Sequence, residues 1–132
     1  MKRVSSNLVL AAALAMFACS KGTPTGPQPG TLSVQLQTPN SGADGAMLFT
    51  LSGPTTVTNV RASNGDTLWT SDFSNMTTKV VLTGSIGSGV ILRFDVPDVN
   101  QYGQYLASIN QVANSSDYSL RSLTNYVAFV SK

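Results

Sequence analysis

The sequence of 132 residues contains no histidine, no glutamate and a single cysteine, Cys19. The usual groups for Ser-His-Asp hydrolysis, Cys-His hydrolysis and zinc coordination are therefore missing. A disulfide within the chain is also excluded, because it needs a second cysteine. These absences predict a protein that is not an enzyme and that binds no cofactor. Two catalytic arrangements are still open, a pair of aspartates or a Ser-Lys dyad using Lys79, and neither has a recognisable motif here.

Charge is also sparse. The chain carries eight bases and six acids, and two of the bases, Lys2 and Arg3, lie at its start. From Cys19 onward six bases balance six aspartates, so the net charge is 6 − 6 = 0. A neutral chain without a basic run lacks the surface that binds phosphate backbones, so we expect no nucleic-acid partner.

The first twenty residues read as an export signal. Two basic residues precede an apolar stretch over 8–18, and small residues follow near its end. That stretch is too short to cross a hydrocarbon core of about 30 Å as a helix, so a permanent transmembrane span is the weaker interpretation.

The end of this signal is Met16-Phe17-Ala18-Cys19, followed by Ser20. It resembles the lipobox of bacterial lipoprotein signal peptides, although Phe17 is bulkier than the small residue usual there. The resemblance implies a signal peptide over 1–18 and a lipid on Cys19 that anchors the protein to the bacterial cell envelope. Ser20 in place of aspartate implies the outer membrane, if the organism has one. The alternative is ordinary signal-peptidase cleavage after Ala15, which leaves Cys19 as a free thiol.

A flexible tether should follow over 19–30. The segment 20–30, SKGTPTGPQPG, holds three prolines and three glycines and no large apolar side chain. Such a composition favours a partly extended linker with a reach of roughly 35 Å at about 3.1 Å per residue. The remaining residues, 31–132, should form one domain.

Short β-rich runs separated by turns fill that domain. Leu32, Val34 and Leu36 alternate with polar residues, and further runs lie at 46–51, 57–62, 67–73, 79–83, 90–96, 118–123 and 126–131. In the run 90–96 the alternation places Val90 on the apolar face and Ile91 on the other. The segment 104–113 fits a helix or a strand, and its neighbours favour a strand. We predict an all-β antiparallel sandwich of seven to nine strands, immunoglobulin-like or jelly-roll in type.

Two local patterns refine this prediction. Asn64-Gly65 between the runs 57–62 and 67–73 predicts a tight hairpin, because a type I′ turn needs positive φ at both central residues. The run GTLSVQL, the Asp44-Gly45 turn before an apolar strand, and the later FDVP together resemble cohesin-like and related extracellular sandwich modules. No binding residues follow from that resemblance.

Two sets of side chains are candidate ligand sites. Asp95 and Asp98, with Asp44 or Asp117, would suit calcium if loops brought them together, although turn and solvation roles explain aspartates equally simply. Exposed aromatic rings would suit a sugar platform, and packing between the sheets is the simpler alternative. The candidate rings are Trp69, Tyr102 and Tyr105.

The composition and the signal together predict a lipid-anchored, non-catalytic sandwich of the cell envelope. Its expected activity is contact with another protein, in adhesion or assembly, through an exposed strand edge or through loops. The alternative is a module that binds a glycan or calcium.

Overall fold

A computed structural model describes Gly22, residues 26–73 and residues 76–132. These residues form eight β-strands and one short 3-10 helix, Val99–Gln104. The strands are β1 Gly30–Gln37, β2 Asp44–Ser52, β3 Thr58–Ala62, β4 Thr67–Phe73, β5 Thr77–Ile86, β6 Gly89–Val96, β7 Leu106–Asn114 and β8 Val127–Ser131.

The strands form two four-stranded antiparallel sheets that pack face to face. Sheet A has the order β3-β6-β1-β8, and sheet B has the order β4-β5-β2-β7. The pairs are nested, because the first strand pairs with the eighth, the second with the seventh, the third with the sixth and the fourth with the fifth. The prediction of an all-β antiparallel sandwich of seven to nine strands is confirmed, and its narrower type stays a prediction.

The core lies between the sheets and follows the alternation of the sequence. On β1, Leu32, Val34 and Leu36 point inward, and on β2 the same role falls to Met47, Phe49 and Leu51. Successive side chains of a strand point to opposite faces, so each strand contributes every second residue. The remaining buried apolar residues are Val57, Val80, Leu82, Ile86, Ile91, Leu92, Phe94, Val96, Tyr105 and Val112.

The predicted face of β6 is wrong at its start. Val34 pairs with Leu92, but its neighbour Gln35 pairs with Val90, so Ile91 is an extra residue in the ladder. This β-bulge turns Ile91 into the core beside Leu92, while Val90 is only partly buried. A bulge resets the alternation of a strand, and period-two reasoning cannot detect the reset.

The predicted hairpin at Asn64-Gly65 is also wrong. The flanking strands β3 and β4 are not paired, because β3 belongs to sheet A and β4 to sheet B. Gly65 has φ +74, whereas Asn64 does not have the positive φ that a type I′ turn requires. After the crossing, the Asp66 Oδ1 accepts a hydrogen bond of 3.2 Å from the backbone N–H of Ser85 in β5 of sheet B.

Most of the ambiguous segment 104–113 forms the strand β7, which confirms the favoured interpretation, although Gln104 ends the 3-10 helix and the strand begins at Leu106. The run predicted at 118–123 is not a strand and contributes one isolated bridge, between Leu120 and Ala113. Tyr118 has φ +55, which interrupts the extended backbone that a strand needs.

Candidate functional site

The outer face of sheet B carries an apolar row. Its two inner strands place Val81 and Leu48 opposite each other, and the edge strands add Trp69 on one side and Gln111 on the other. Trp69 is 56% exposed, which is unusual for the one tryptophan of a small domain. A row of large apolar side chains on the solvent face of a sheet is the kind of surface that marks a contact site.

The row continues into a shallow groove of about 250 Å³. Leu120 forms one wall, and the bridge between Leu120 and Ala113 holds it over β7. No charged side chain lines the groove, and Gln111 is the one polar lining residue. The full lining is Ala46, Met47, Leu48, Val81, Gln111, Ala113 and Leu120. We call this surface the sheet-B groove.

The loop that brings Leu120 to the groove is held by backbone hydrogen bonds. The Asn114 N–H donates to Ser119 O at 2.9 Å, the Tyr118 N–H to Asn114 O at 3.0 Å, and the Arg121 N–H to Val112 O at 2.8 Å. Tyr118 has a positive φ, and its side chain is largely exposed beside this turn. A non-glycine residue in that conformation is held there by its surroundings at a cost of order 1–3 kcal/mol.

A buried carboxylate lies under the same loop. Asp44 is fully buried, and it accepts hydrogen bonds from the Thr38 hydroxyl at 2.7 Å and the Tyr126 hydroxyl at 2.9 Å. The Arg121 Nε lies 2.8 Å from its Oδ1, but that N–H is not directed at an acceptor, so charge holds this pair. The Arg121 Nη2 instead donates to Ala43 O at 3.1 Å.

This cluster connects strand β2 to both neighbouring loops. Asn40 adds a hydrogen bond of 2.9 Å to the Tyr126 hydroxyl. Because Arg121 directly follows Leu120, the ion pair to Asp44 also fixes one wall of the sheet-B groove. Sequence reasoning missed Arg121, and it considered Asp44 only as a turn residue or calcium ligand. The signal available was slight, an aspartate at the start of an apolar strand.

Asp95 lies on the other sheet, on the outer side of β6. It accepts hydrogen bonds from the Thr31 hydroxyl at 2.7 Å and the Asn59 amide at 2.8 Å, and Arg61 Nη1 lies 3.1 Å away. These donors, with Thr31 first and then Asn59 and Arg61, hold the pKa of Asp95 below its ordinary value. The carboxylate is thus charged and already held by protein donors.

The other two aspartates stabilise local turns. Asp98 caps the 3-10 helix, and backbone N–H donors of Gln28 at 3.1 Å and Asn100 at 3.0 Å lower its pKa. Asp117 accepts from the Ser119 N–H and hydroxyl at 3.0 and 2.7 Å, which lowers its pKa too. Within the described ranges, no three acidic or thiol side chains gather as metal ligands. The four candidate aspartates are therefore not brought together.

The three candidate aromatic residues do not share a surface. Tyr105 is buried, its ring centroid lies 5.9 Å from that of Phe94, and its hydroxyl is 2.8 Å from the Thr55 hydroxyl. Tyr102 is exposed on the 3-10 helix, which packs beside β1 and β8 of sheet A. Trp69 lies on sheet B. Of the predicted platform, Trp69 alone lies on the apolar face.

Lys79, considered for a Ser-Lys dyad, lies on the outer face of β5. Its Nζ is 4.3 Å from the centroid of the exposed Phe73 ring, a cation–π contact. Ser71 is its cross-strand neighbour, and no hydrogen bond joins the two side chains in the described part of the chain. Cys19, the predicted lipidation site, lies outside the described residues.

The fold and the surface define a two-sheet β-sandwich with an apolar groove on one outer face. No helix in the described ranges has the length and hydrophobicity that a membrane crossing requires. No family model, curated protein or solved structure matches the chain.

Proposed function

We propose that this protein is a lipid-anchored, non-catalytic module of the bacterial cell envelope that binds another protein through the sheet-B groove. The observation that supports the proposal most directly is the apolar groove beside Leu120, whose lining includes one polar residue, Gln111, and no charged one. The occupant we propose is an uncharged, apolar segment of another envelope protein, because a charged segment would lose hydration there without finding a partner.

The groove is built to keep its shape before a partner arrives. Its floor is formed mainly by the inner strand β2, with Val81 of β5 on one side and Gln111 and Ala113 of β7 on the other. Its Leu120 wall is tied down by the Asp44–Arg121 pair and by the bridge to Ala113. A surface that is already ordered loses less conformational entropy on binding, so a modest apolar area can give useful affinity.

The alternative of a glycan-binding or calcium-binding module has one supporting observation, the exposed indole of Trp69. The groove favours protein contact, because sugar recognition also needs directed polar groups around the ring. Among the described groove-lining residues, Gln111 is the one that offers such a group.

The proposed contact can be tested by site-specific photo-crosslinking in the producing bacterium. With a photo-reactive residue in place of Leu120, we expect a discrete adduct that runs larger than the protein alone. The Val81→Lys substitution should lower the adduct yield several-fold, because it puts a charge into the apolar groove.

A matched control is a photo-reactive residue in place of Leu106, which lies on the same sheet with 61% exposure against 69% for Leu120. Equal adduct patterns from the two positions would contradict a specific contact at the groove. An adduct from position 120 with the same yield in the presence and absence of Val81→Lys would contradict it too.

The proposed anchor depends on Cys19, and the Cys19→Ser variant tests it. The variant should leave the membrane fraction, because it loses the binding energy of the lipid, about 0.8 kcal/mol for each buried methylene. The mature chain has no net charge that could bind it to a charged membrane surface instead. Mass spectrometry of the wild-type protein should show a mature chain that begins at acylated Cys19. An unmodified chain beginning at Met16 would refute the anchor.

A further inference from the structure

The edge of sheet B at β4 is the least protected edge of the sandwich. β4 is seven residues long, and all of them are exposed except Leu68, which is partly buried. Its pairing with β5 runs without a register shift. The strand contains no proline, lysine or arginine, the residues that commonly block strand addition at an edge. Its one charged residue is Asp72, whose carboxylate accepts a hydrogen bond of 2.9 Å from the Thr78 hydroxyl of β5.

The other three edges are shorter or interrupted. β3 and β8 have five residues each, and the register of β3 shifts between Thr58 and Arg61. β7 has a register shift opposite Leu48 and Phe49, and Leu120 bridges its end. Bulges and covering loops are known ways to stop pairing, so β4 is the edge that most readily accepts another strand.

The sequence of β4 is complementary to itself. In an antiparallel pair of identical strands related by a two-fold axis, residues equally distant from the axis face each other. An axis at Ser71 puts Trp69 of each copy opposite Phe73 of the other, which gives two aromatic pairs. The same axis puts Thr70 opposite Asp72, again twice, which pairs a hydroxyl donor with a carboxylate acceptor.

The neighbouring registers are less favourable. An axis at Thr70 places Leu68 against Asp72, and an axis at Asp72 brings two carboxylates face to face, which is destabilising. Cross-strand aromatic pairs, in contrast, stabilise the pairing of two strands. The Ser71 register thus has both aromatic contacts and no opposed like charges.

We infer that two copies of this protein associate through β4, with the two-fold axis at Ser71, and form a continuous eight-stranded sheet from two B sheets. The axis is perpendicular to the sheet, so both A sheets lie on the same side. Each chain enters its domain at Gly30, in sheet A. Both predicted tethers therefore begin on the same side of the dimer, and the two groove faces lie on the opposite side.

The lipid anchor matters for the strength of this contact. A single strand pair buries far less than the roughly 1,200–2,000 Å² typical of stable complexes, so free copies should associate weakly. Confinement to one membrane raises their effective concentration and favours the pair. This part of the inference rests on the proposed anchoring, whereas the strand pairing does not.

Cysteine crosslinking of the full-length protein in the cell envelope tests the dimer. Opposed residues of antiparallel strands have Cα atoms about 4.5–5.5 Å apart, within the range that a disulfide spans. After treatment with a thiol oxidant, Ser71→Cys should give several-fold more disulfide-linked dimer than Ser108→Cys. Ser108 is an exposed serine on β7, the opposite edge of the same sheet.

The wild-type protein shows how much dimer forms through Cys19 alone. The Thr70→Cys variant tests the register of the strand pair. Thr70 faces Asp72 in the Ser71 register, so Thr70→Cys should stay monomeric. Equal dimer from Ser71→Cys and Ser108→Cys, or more dimer from Thr70→Cys than from Ser71→Cys, would overturn the inference. If Ser71→Cys gives no dimer while the position-120 adduct persists, the β4 contact is wrong and the proposed groove function stands.

Discussion

The Phe49→Ala variant is expected to lose about 3–5 kcal/mol of unfolding free energy. Phe49 is fully buried on β2, an inner strand of sheet B, where its neighbours across the ladder are Val80 and Ile109. The substitution removes a whole ring from the layer between the sheets. The loss combines the lost transfer energy of the ring with the cavity that rigid strands cannot close. Since small domains are stable by about 5–15 kcal/mol, the effect is large.

Urea denaturation measures this effect through the transition midpoint, provided the slope is unchanged. Leu106→Ala is the matched control, because Leu106 is a large apolar residue of the same sheet that lies mostly in solvent. Its expected effect is within about 0.5 kcal/mol. Similar shifts for the two variants would contradict the placement of Phe49 in the core.

The Asp44→Asn variant is expected to lose about 3 kcal/mol, for a different reason. It leaves the Arg121 guanidinium without its counter-charge, and breaking a buried pair from one side typically costs about 3–5 kcal/mol. We expect the lower end, since the Arg121 side chain is 21% exposed and can regain some hydration. The asparagine has one acceptor oxygen, so it keeps only one of the two hydroxyl hydrogen bonds, since Thr38 donates to Oδ2 of Asp44 and Tyr126 to Oδ1.

A double-mutant cycle with Arg121→Met separates the charge pair from the rest of the cluster. Coupled residues in contact show interaction energies of about 0.5–3 kcal/mol, so the double variant should lose less than the sum of the single variants. Asp95→Asn is the surface control, because its pair with Arg61 is exposed on both sides, and it should have a much smaller effect. Additive losses for Asp44 and Arg121 would refute the pair as a stabilising unit.

The strands of this protein were largely predictable, because their local signal is strong. The alternation on β1 follows from side-chain period alone, whereas the period of 104–113 also fitted a helix and the neighbouring strands decided it. The partners of the strands were not predictable in the same way. Asn64-Gly65 has the sequence of a hairpin turn, yet the chain crosses to the other sheet there, and Asp66 bonds to Ser85, 19 positions further along the chain.

The candidate site was less predictable than the fold. The sheet-B groove depends on which strands are neighbours, and the alignment of Val81 with Leu48 is a matter of register rather than of sequence distance. Asp44 and Arg121 are 77 positions apart, by 121 − 44, and nothing local to either residue indicates the pair. The predicted platform fails because Tyr105 packs on Phe94 in the core.

The nested pairing of the strands also determines how late the domain can finish folding. β1 needs β8 as its neighbour, and the Gln35 amide meets the Ser131 hydroxyl across 96 positions of chain. Contacts this distant in sequence pay a loop-closure cost before any contact is gained, and domains dominated by them fold in milliseconds to seconds. A chain emerging from its amino end therefore keeps one side of β1 unpaired until the last strand has appeared.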